Sequence, residues 1–273
     1  MARHLVLDIA RKLAARYAEH AAVLGVAVGG SQATGAADGQ SDLDLYVYAR
    51  GEVPREHREA VARDRSAHPE LFHLRFEPGD EWVEREALLH VDVMFRDCGW
   101  IEGELDRVLV RHEARVGWST CLWHNVRTCE PVFDRDGWLA ALKARAQAEY
   151  PEPLRRAVVA LNLPLLRRDL SSCVHQLEKA RERGDAVAVN HRVAALLASA
   201  FDVLFALNRR PNPGEKRLLE LALRDCPLRP FGFEEDVGEL LAGGADVVHT
   251  ADALAADLEA LAATQGLWPT PSS

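Results

Sequence analysis

The sequence predicts an α+β protein in which an N-terminal mixed β-sheet domain with flanking helices is followed by an all-α helical-bundle domain. Up to about residue 135, short apolar and partly β-branched runs alternate with helical stretches. Beyond that point, alanine- and leucine-rich segments carry apolar residues at helical spacing. At 273 residues and 48% hydrophobic, the chain is long enough for two domains. We therefore predict domains at residues 1–135 and 136–268, with a flexible tail at 269–273.

The elements of the first domain follow from hydrophobic periodicity. An amphipathic pattern predicts a helix over residues 6–20, and a polar pattern predicts another over residues 55–66. Apolar runs and strict alternation predict strands at residues 23–28, 42–47, 72–76 and 90–95.

The second domain is predicted to be helical throughout. Its candidate helices cover residues 138–149, 154–183, 186–207, 213–224, 233–241 and 251–264. Pro164 predicts a kink or break within the second of these helices, because proline removes a backbone donor and clashes with the preceding turn.

A glycine turn and two aspartates are the most informative motif of the chain. Gly29, Gly30 and Ser31 follow the first apolar strand, and glycines there let the backbone approach a ligand while N–H groups and the serine hydroxyl bind phosphate oxygens. After a polar loop, Asp42 and Asp44 alternate with apolar residues, which predicts two carboxylates on one face of a strand. Two such carboxylates repel each other unless a cation or a polar surface lies between them, and magnesium is the natural occupant.

A third carboxylate lies in a later predicted strand. Residues 88–95 alternate cleanly, and Asp92 is the one acid in that apolar run. A lone buried carboxylate is costly, so Asp92 is either exposed on an edge strand or part of a site. The glycine turn and the aspartate pair favour the site.

These motifs resemble those of the nucleotidyltransferase superfamily typified by DNA polymerase β. The family pattern is an apolar residue, a Gly-Gly or Gly-Ser turn, a spacer and Asp-x-Asp, followed by a third carboxylate on a neighbouring strand. The layout of a sheet domain followed by a helical bundle further resembles the antibiotic nucleotidyltransferases of the aminoglycoside and lincosamide type. The motifs themselves lie in the first hundred residues.

The resemblance implies a reaction and a set of roles. A nucleoside monophosphate, AMP from ATP, would pass to a hydroxyl of a small molecule with release of pyrophosphate. Asp42, Asp44 and Asp92 would be the catalytic residues and would bind two Mg²⁺ ions. Asp92 would complete the second metal site, act as the general base, or do both.

The resemblance also implies the groups that bind the nucleotide. Gly29, Gly30 and Ser31 would bind its phosphates. The helical domain of such relatives often supplies a lysine to these phosphates. Here Lys216 lies at a predicted helix start, and its alternative is an ordinary surface lysine.

Composition limits the partners. The 42 acidic and 33 basic residues give a net charge of −9, which disfavours nucleic acid as the main partner because phosphate backbones require a basic surface. The five cysteines contain no Cys-x-x-Cys pair, and we see no signal peptide or membrane-length apolar run, so we expect a reduced cytoplasmic protein without a zinc site.

Two alternatives stay open at this point. The same chemistry could modify a protein or an RNA end, as in toxin–antitoxin systems. The fold could also persist as a nucleotide-binding module without turnover. The acceptor, the base of the nucleotide and the choice between monomer and homodimer do not follow from the sequence.

Overall fold

The computed structural model describes residues 3–30, 42–75 and 77–269. The chain divides into two compact units, which we call the sheet unit (Met1–Leu105 with Asn125–Ala148) and the helical unit (Asp106–His124 with Glu149–Ser273). This division differs from the predicted boundary at residue 135 because the helix at residues 138–146 lies in the sheet unit and residues 106–124 lie in the helical unit. The assignment of residues 1–135 and 136–268 to two separate domains stays a prediction.

The sheet unit contains one six-stranded mixed sheet. Its strands are β1 Val23–Val28, β2 Leu43–Ala49, β3 Glu70–His73, β4 Gly79–Val83, β5 His90–Asp97 and β6 Glu130–Asp134. The strand order is β3-β4-β5-β2-β1-β6, and only β2 and β5 pair in parallel. The α+β class with a mixed N-terminal sheet is therefore confirmed.

Five helices accompany this sheet in the part of the chain that the structure describes. They are α1 Arg3–Ala18, α2 Arg55–Arg65, α3 Cys98–Leu109, α4 Cys121–Thr128 and α5 Trp138–Ala146. The division between the two units falls within α3 and α4. Sequence patterns missed β4, β6, α3 and α4. β4 was missed because Pro78 and Gly79 at its start are typical of a turn.

One face of the sheet forms the core of this unit. Leu43, Leu45 and Val47 of β2 are fully buried, together with apolar residues of α1 and of β5. Side chains alternate between the faces of a strand, so Asp44 and Tyr46 project from the opposite face. The apolar packing of β2 thus determines which way its carboxylate points.

The helical unit holds six further helices among the described residues. They are α6 Glu152–Arg167, α7 Cys173–Glu182, α8 Ala186–Leu207, α9 Leu218–Asp225, α10 Phe233–Ala242 and α11 Val247–Thr264. The all-α character predicted for this part of the chain is confirmed.

Two predicted helices were wrong in detail. The segment 154–183 forms two helices, and the break comes after Arg167 although Pro164 lies within α6. The start of the second helix is set by Ser172, whose hydroxyl accepts the His175 N–H as an N-cap. The helix predicted from residue 213 begins at Leu218, because Arg217 before it has a left-handed backbone (φ 55°).

Helix α8 is the core helix of the helical unit. It packs against α6, α7 and α11, and its second half is almost continuously buried. By length and composition it is apolar enough to cross a membrane, which the sequence reasoning did not expect, but 56% of its most apolar window is buried within the protein. Burial of this kind is typical of a core helix.

A buried carboxylate ties α8 to two loops of the same unit. Asp202 accepts hydrogen bonds from the backbone N–H of Ser119 (3.1 Å) and from the side-chain amides of Asn212 (3.2 Å) and Asn162 (3.4 Å). Burial raises the pKa of Asp202 to about 6, although these hydrogen bonds and the charge of Arg107 act in the opposite direction. The native state therefore binds a proton at this position at a higher pH than the unfolded chain does.

We expect the Asp202→Asn variant to change the pH dependence of stability. The pKa of Asp202 is raised on folding, so its contribution to the free energy of unfolding grows as pH falls from about 6 to about 4 and is lost as pH rises through about 6. Relative to Asp202→Asn, the wild type should gain on the order of 2–3 kcal/mol between about pH 7 and about pH 4. Urea unfolding at several pH values measures this difference, and parallel curves for the two proteins would contradict it.

Candidate active site

Three carboxylates lie in register on neighbouring strands of the sheet. In the parallel pair of β2 and β5, Asp44 is opposite Asp92. In the antiparallel pair of β4 and β5, Glu81 is opposite the same Asp92. Residues that pair directly across strands project from the same face, so Asp44, Asp92 and Glu81 form a row, which we call the carboxylate row.

The pKa of Asp92, the middle member of the carboxylate row, is changed by its surroundings. Partial burial, with the added effect of the charges of Asp44 and Glu81, raises the pKa of Asp92 to about 6, although His73 and His90 act in the opposite direction. The Oδ1 atom of Asp92 is shielded from solvent and has no hydrogen-bond partner among the described residues. Such a carboxylate oxygen is suited to accept a proton or to bind a cation.

The glycine turn lies directly against the first member of the row. The Gly29 N–H donates a hydrogen bond to the Asp44 carbonyl oxygen (2.8 Å). Gly30 has a left-handed backbone (φ 57°), and a Cβ atom at this position would lie 1.9 Å from Asp44 Oδ2. Only glycine leaves room for this carboxylate, so the turn and Asp44 form one site. Ser31, the third residue predicted for phosphate binding, lies outside the described residues.

A buried layer of polar and aromatic groups supports the glycine turn. The ring of Tyr46 lies against Gly29, and its hydroxyl accepts a hydrogen bond from Asn125 Nδ2 (2.6 Å). The Arg96 guanidinium lies 3.9 Å from the centre of the Tyr46 ring and forms a bidentate pair with Glu77 (2.7 and 2.8 Å). These contacts hold Tyr46 in place beneath the turn. Sequence reasoning missed this layer because its members are far apart in the chain.

The second aspartate of the motif lies at the rim. β2 begins at Leu43, so Asp42 precedes the strand instead of lying within it as predicted. Its side chain is 48% exposed, and its Oδ1 atom is 3.7 Å from His90 Nδ1. Asp42 is therefore accessible at the end of the site nearest to His90.

The sequence analysis assigned neither Glu81, the end member of the carboxylate row, nor its neighbour His73 to the site. His73 of β3 and Glu81 of β4 offer ligand atoms that lie, with one of Asp92, within 4.8 Å of one another. The segment from Glu81 to Glu86 contains the acidic residues Glu81, Glu84 and Glu86. Of its members, Glu84 is buried and paired with Arg65, and Glu81 alone reaches the row.

One cavity of the sheet unit is lined by His73 but by no member of the carboxylate row. It measures about 620 Å³ and lies at the C-terminal ends of β2 and β5, where Ala49, Phe95 and Trp100 contribute to its lining. Asp44 and Asp92 do not line it. The volume of a cavity therefore does not identify the site here; the paired charges and the glycine turn do.

Lys216 belongs to the helical unit. It is exposed in a turn two residues before α9 begins, and not at the first turn of a helix as the sequence predicted. Its binding to nucleotide phosphates stays a prediction.

We expect Gly29→Ala to destabilise the protein, because the new Cβ would lie 2.2 Å from atoms of the Tyr46 ring. Forcing a methyl group into such a packed region costs about 1–3 kcal/mol. Gly103→Ala is the matched control: it lies within α3, where a Cβ meets no atom within 4 Å, and alanine there should stabilise by about 0.5–1 kcal/mol. Thermal unfolding of both variants measures the difference, and equal melting temperatures would contradict the close packing of Gly29.

A solved structure, a nucleotidyltransferase-like protein from Exiguobacterium sibiricum, aligns with a TM-score of 0.45 and 17% identity over 96% of this chain and 76% of its own. No curated protein matches the chain.

Two family models match consecutive parts of the chain. Residues 118–217 match a domain of unknown function (DUF4037). Residues 9–112 match the nucleotidyltransferase domain, and this segment contains the glycine turn and the whole carboxylate row. Residues 9–112 of this chain are therefore similar to a nucleotidyltransferase domain.

Proposed function

We propose that the protein transfers a nucleoside monophosphate, AMP from ATP, to a hydroxyl group of a small molecule, with Mg²⁺ and with release of pyrophosphate. The observation that carries the proposal is the placement of Asp44 in register with Asp92 and directly against Gly30. Carboxylates suited to divalent cations and a backbone turn suited to phosphates thus lie side by side.

The residues present fit magnesium. Mg²⁺ prefers oxygen ligands, and Asp42, Asp44 and Asp92 offer carboxylate oxygens at one end of two adjacent strands. A bound cation is also favoured because Asp92 Oδ1 is shielded from solvent and has no hydrogen-bond partner among the described residues. It would further reduce the repulsion between the charges of Asp44 and Asp92. When bound, the metal would neutralise charge on the triphosphate and lower the pKa of the attacking hydroxyl.

The chain's own groups then have separable roles. Gly29, Gly30 and Ser31 bind the β- and γ-phosphates, for which the positive φ of Gly30 allows close approach of the backbone. Asp92 completes the second metal site, accepts the proton of the acceptor hydroxyl, or does both.

The acceptor is best matched by a small cationic molecule of the aminoglycoside type. The chain's net charge of −9 opposes a polyanionic partner. Asp42 is exposed beside the row, and Glu81 at its other side is 22% exposed, so both present negative charge to an acceptor. These charges attract an amine-bearing ligand while leaving its hydroxyl groups free to react.

The test is pyrophosphate release from ATP, GTP, CTP and UTP with Mg²⁺ across a panel of aminoglycosides and lincosamides. Release that requires both a nucleotide and one acceptor supports the proposal and identifies both substrates. Magnesium-dependent nucleotide binding without release on any small acceptor would exclude this acceptor class and favour a protein or an RNA end. Nucleotide binding that does not require Mg²⁺, again without release, would favour a binding module.

We expect Asp44→Asn and Asp92→Asn to reduce the rate of pyrophosphate release by about 10²-fold or more, the scale of losing one preorganised electrostatic contact. Asp64→Asn, which changes an exposed aspartate of α2, is the matched control and should retain full activity. Circular dichroism should show the same helix content in all three variants. A folded Asp44→Asn variant with wild-type turnover would refute the role of the carboxylate row.

A further inference from the structure

We propose that His73, Glu81 and Asp92 bind a divalent transition-metal ion at the end of the carboxylate row away from the glycine turn. This site shares Asp92 with the proposed nucleotide site but draws its other two ligands from strands β3 and β4. It stands on its own geometry, whether or not the proposed acceptor class is right.

The distances fit a single ion after a small contraction. One ligand atom from each of the three residues lies within 4.8 Å of the others. Ligand atoms around a tetrahedral ion bound at about 2.1 Å lie about 3.4 Å apart, so a shift of less than about 1 Å in each ligand atom closes the site. All three side chains are partly buried, which limits competition from water.

The ligand atoms are not used elsewhere in the described structure. Both ring nitrogens of His73 are shielded from solvent and have no hydrogen-bond partner among the described residues, and the same holds for Asp92 Oδ1. His73 Nε2 lies 3.3 Å from Glu81 Oε1, too poorly aligned for a hydrogen bond. The second oxygen of Glu81 faces Arg75 (3.4 Å), which leaves Oε1 for a metal.

The backbone around His73 is arranged to bring its ring to the row. A β-bulge separates Glu70 from His73, and Phe72 within it has a positive φ of 60°. Bulges of this kind redirect side chains next to functional sites, and a non-glycine residue at positive φ needs surrounding support. The ring then lies over Gly79, where a Cβ would be 2.6 Å from His73 Cε1.

A buried ion pair supplies that support. The carboxylate of Asp80 is fully buried, accepts the Phe72 N–H (2.8 Å) and pairs with Arg58 through two hydrogen bonds (2.7 and 2.9 Å). Arg58 also lies over the rings of Phe72 (4.9 Å) and Phe95 (4.0 Å). Because this network anchors the backbone N–H of Phe72, the position of the His73 side chain is determined by the fold.

The ligand set selects the class of metal. Mg²⁺ takes oxygen ligands and rarely an imidazole, whereas Mn²⁺, Co²⁺ and Zn²⁺ accept one nitrogen and two carboxylates. The row would thus have an all-oxygen end at Asp42 and Asp44 and a mixed nitrogen and oxygen end at His73 and Glu81, joined by Asp92. The ion at the second end would position Asp92 from the side opposite Asp44.

The test is titration of the tag-free, metal-depleted full-length protein with Co²⁺ alone and with Mg²⁺ alone, in the absence of nucleotide. Calorimetry gives affinity and stoichiometry, and the visible absorption of Co²⁺ reports the ligand set. We expect one Co²⁺ ion to bind more tightly than Mg²⁺. His73→Ala and Glu81→Gln should each weaken Co²⁺ binding by about 100-fold or more, since even outer-sphere partners of a metal contribute about 10–100-fold.

Two further variants separate this site from its surroundings. Gly79→Ala should weaken Co²⁺ binding by displacing the His73 ring while leaving every ligand in the chain. His175→Ala is the matched control, because His175 is also a histidine 3.5 Å from a glutamate, Glu178, but lies on the surface of the helical unit. Co²⁺ affinity should be unchanged in that variant.

Asp44→Asn distinguishes the two proposals. If both are right, this variant loses pyrophosphate release and keeps its tight Co²⁺ site. Co²⁺ binding that persists in folded His73→Ala and Glu81→Gln variants overturns the metal proposal, as does Co²⁺ binding that is lost in Asp44→Asn but retained in His73→Ala. Failure of nucleotidyl transfer in the wild type leaves the Co²⁺ result unaffected, so the two failures can be told apart.

Discussion

The site depends on the register in which β2, β5 and β4 pair. Strand side chains alternate between faces, so the burial of Leu43, Leu45 and Val47 against the helices places Asp44 on the other face. The same rule applied to Val91 and Val93 places Asp92 beside it. A slip of one residue in either strand would put a carboxylate into an apolar core, which is why hydrophobic packing on one face enforces an electrostatically unfavourable row on the other.

The consecutive residues Asp80 and Glu81 project from opposite faces of β4 and have different surroundings. Asp80 is fully buried, and its charge is offset by the bidentate contact with Arg58. Glu81 points to the opposite face and adds its charge to the row. A buried carboxylate with a matched arginine stabilises the backbone, whereas one placed beside two other carboxylates is available for ligands. Both residues carry a carboxylate, so residue type alone does not distinguish Asp80 from Glu81. The groups that contact each carboxylate distinguish them.

The helical unit contains a comparable buried carboxylate that has a structural role. Asp202 of α8 is surrounded by a backbone N–H and two asparagine amides, and through Asn212 and Ser119 it joins segments at both ends of residues 118–217. All of its contacts are donors from the protein itself. Asp92, in contrast, has an oxygen without such a donor among the described residues. The two carboxylates therefore differ in whether the surrounding protein satisfies their hydrogen-bonding capacity.

The sequence by itself determined the class of fold, the strand that ends in the glycine turn, the helix α8 and the three aspartates of the motif. These features are local: they follow from hydrophobic periodicity, from glycine's freedom at positive φ and from alternation along one strand. Tertiary structure decided what lies beside them. His73, Glu81 and the Tyr46–Asn125 contact come from separate strands and helices, and no periodicity in one segment reports a pairing across three strands.

The same distinction explains the errors. The break after α6 was placed at Pro164, but capping by Ser172 decided where the next helix starts. β4 begins at a proline and a glycine that favour a turn locally, and pairing with β5 overrode that preference. Local sequence patterns identify the residues that could belong to a site. Hydrogen bonding between strands that are distant in the sequence determines which of these residues lie next to one another.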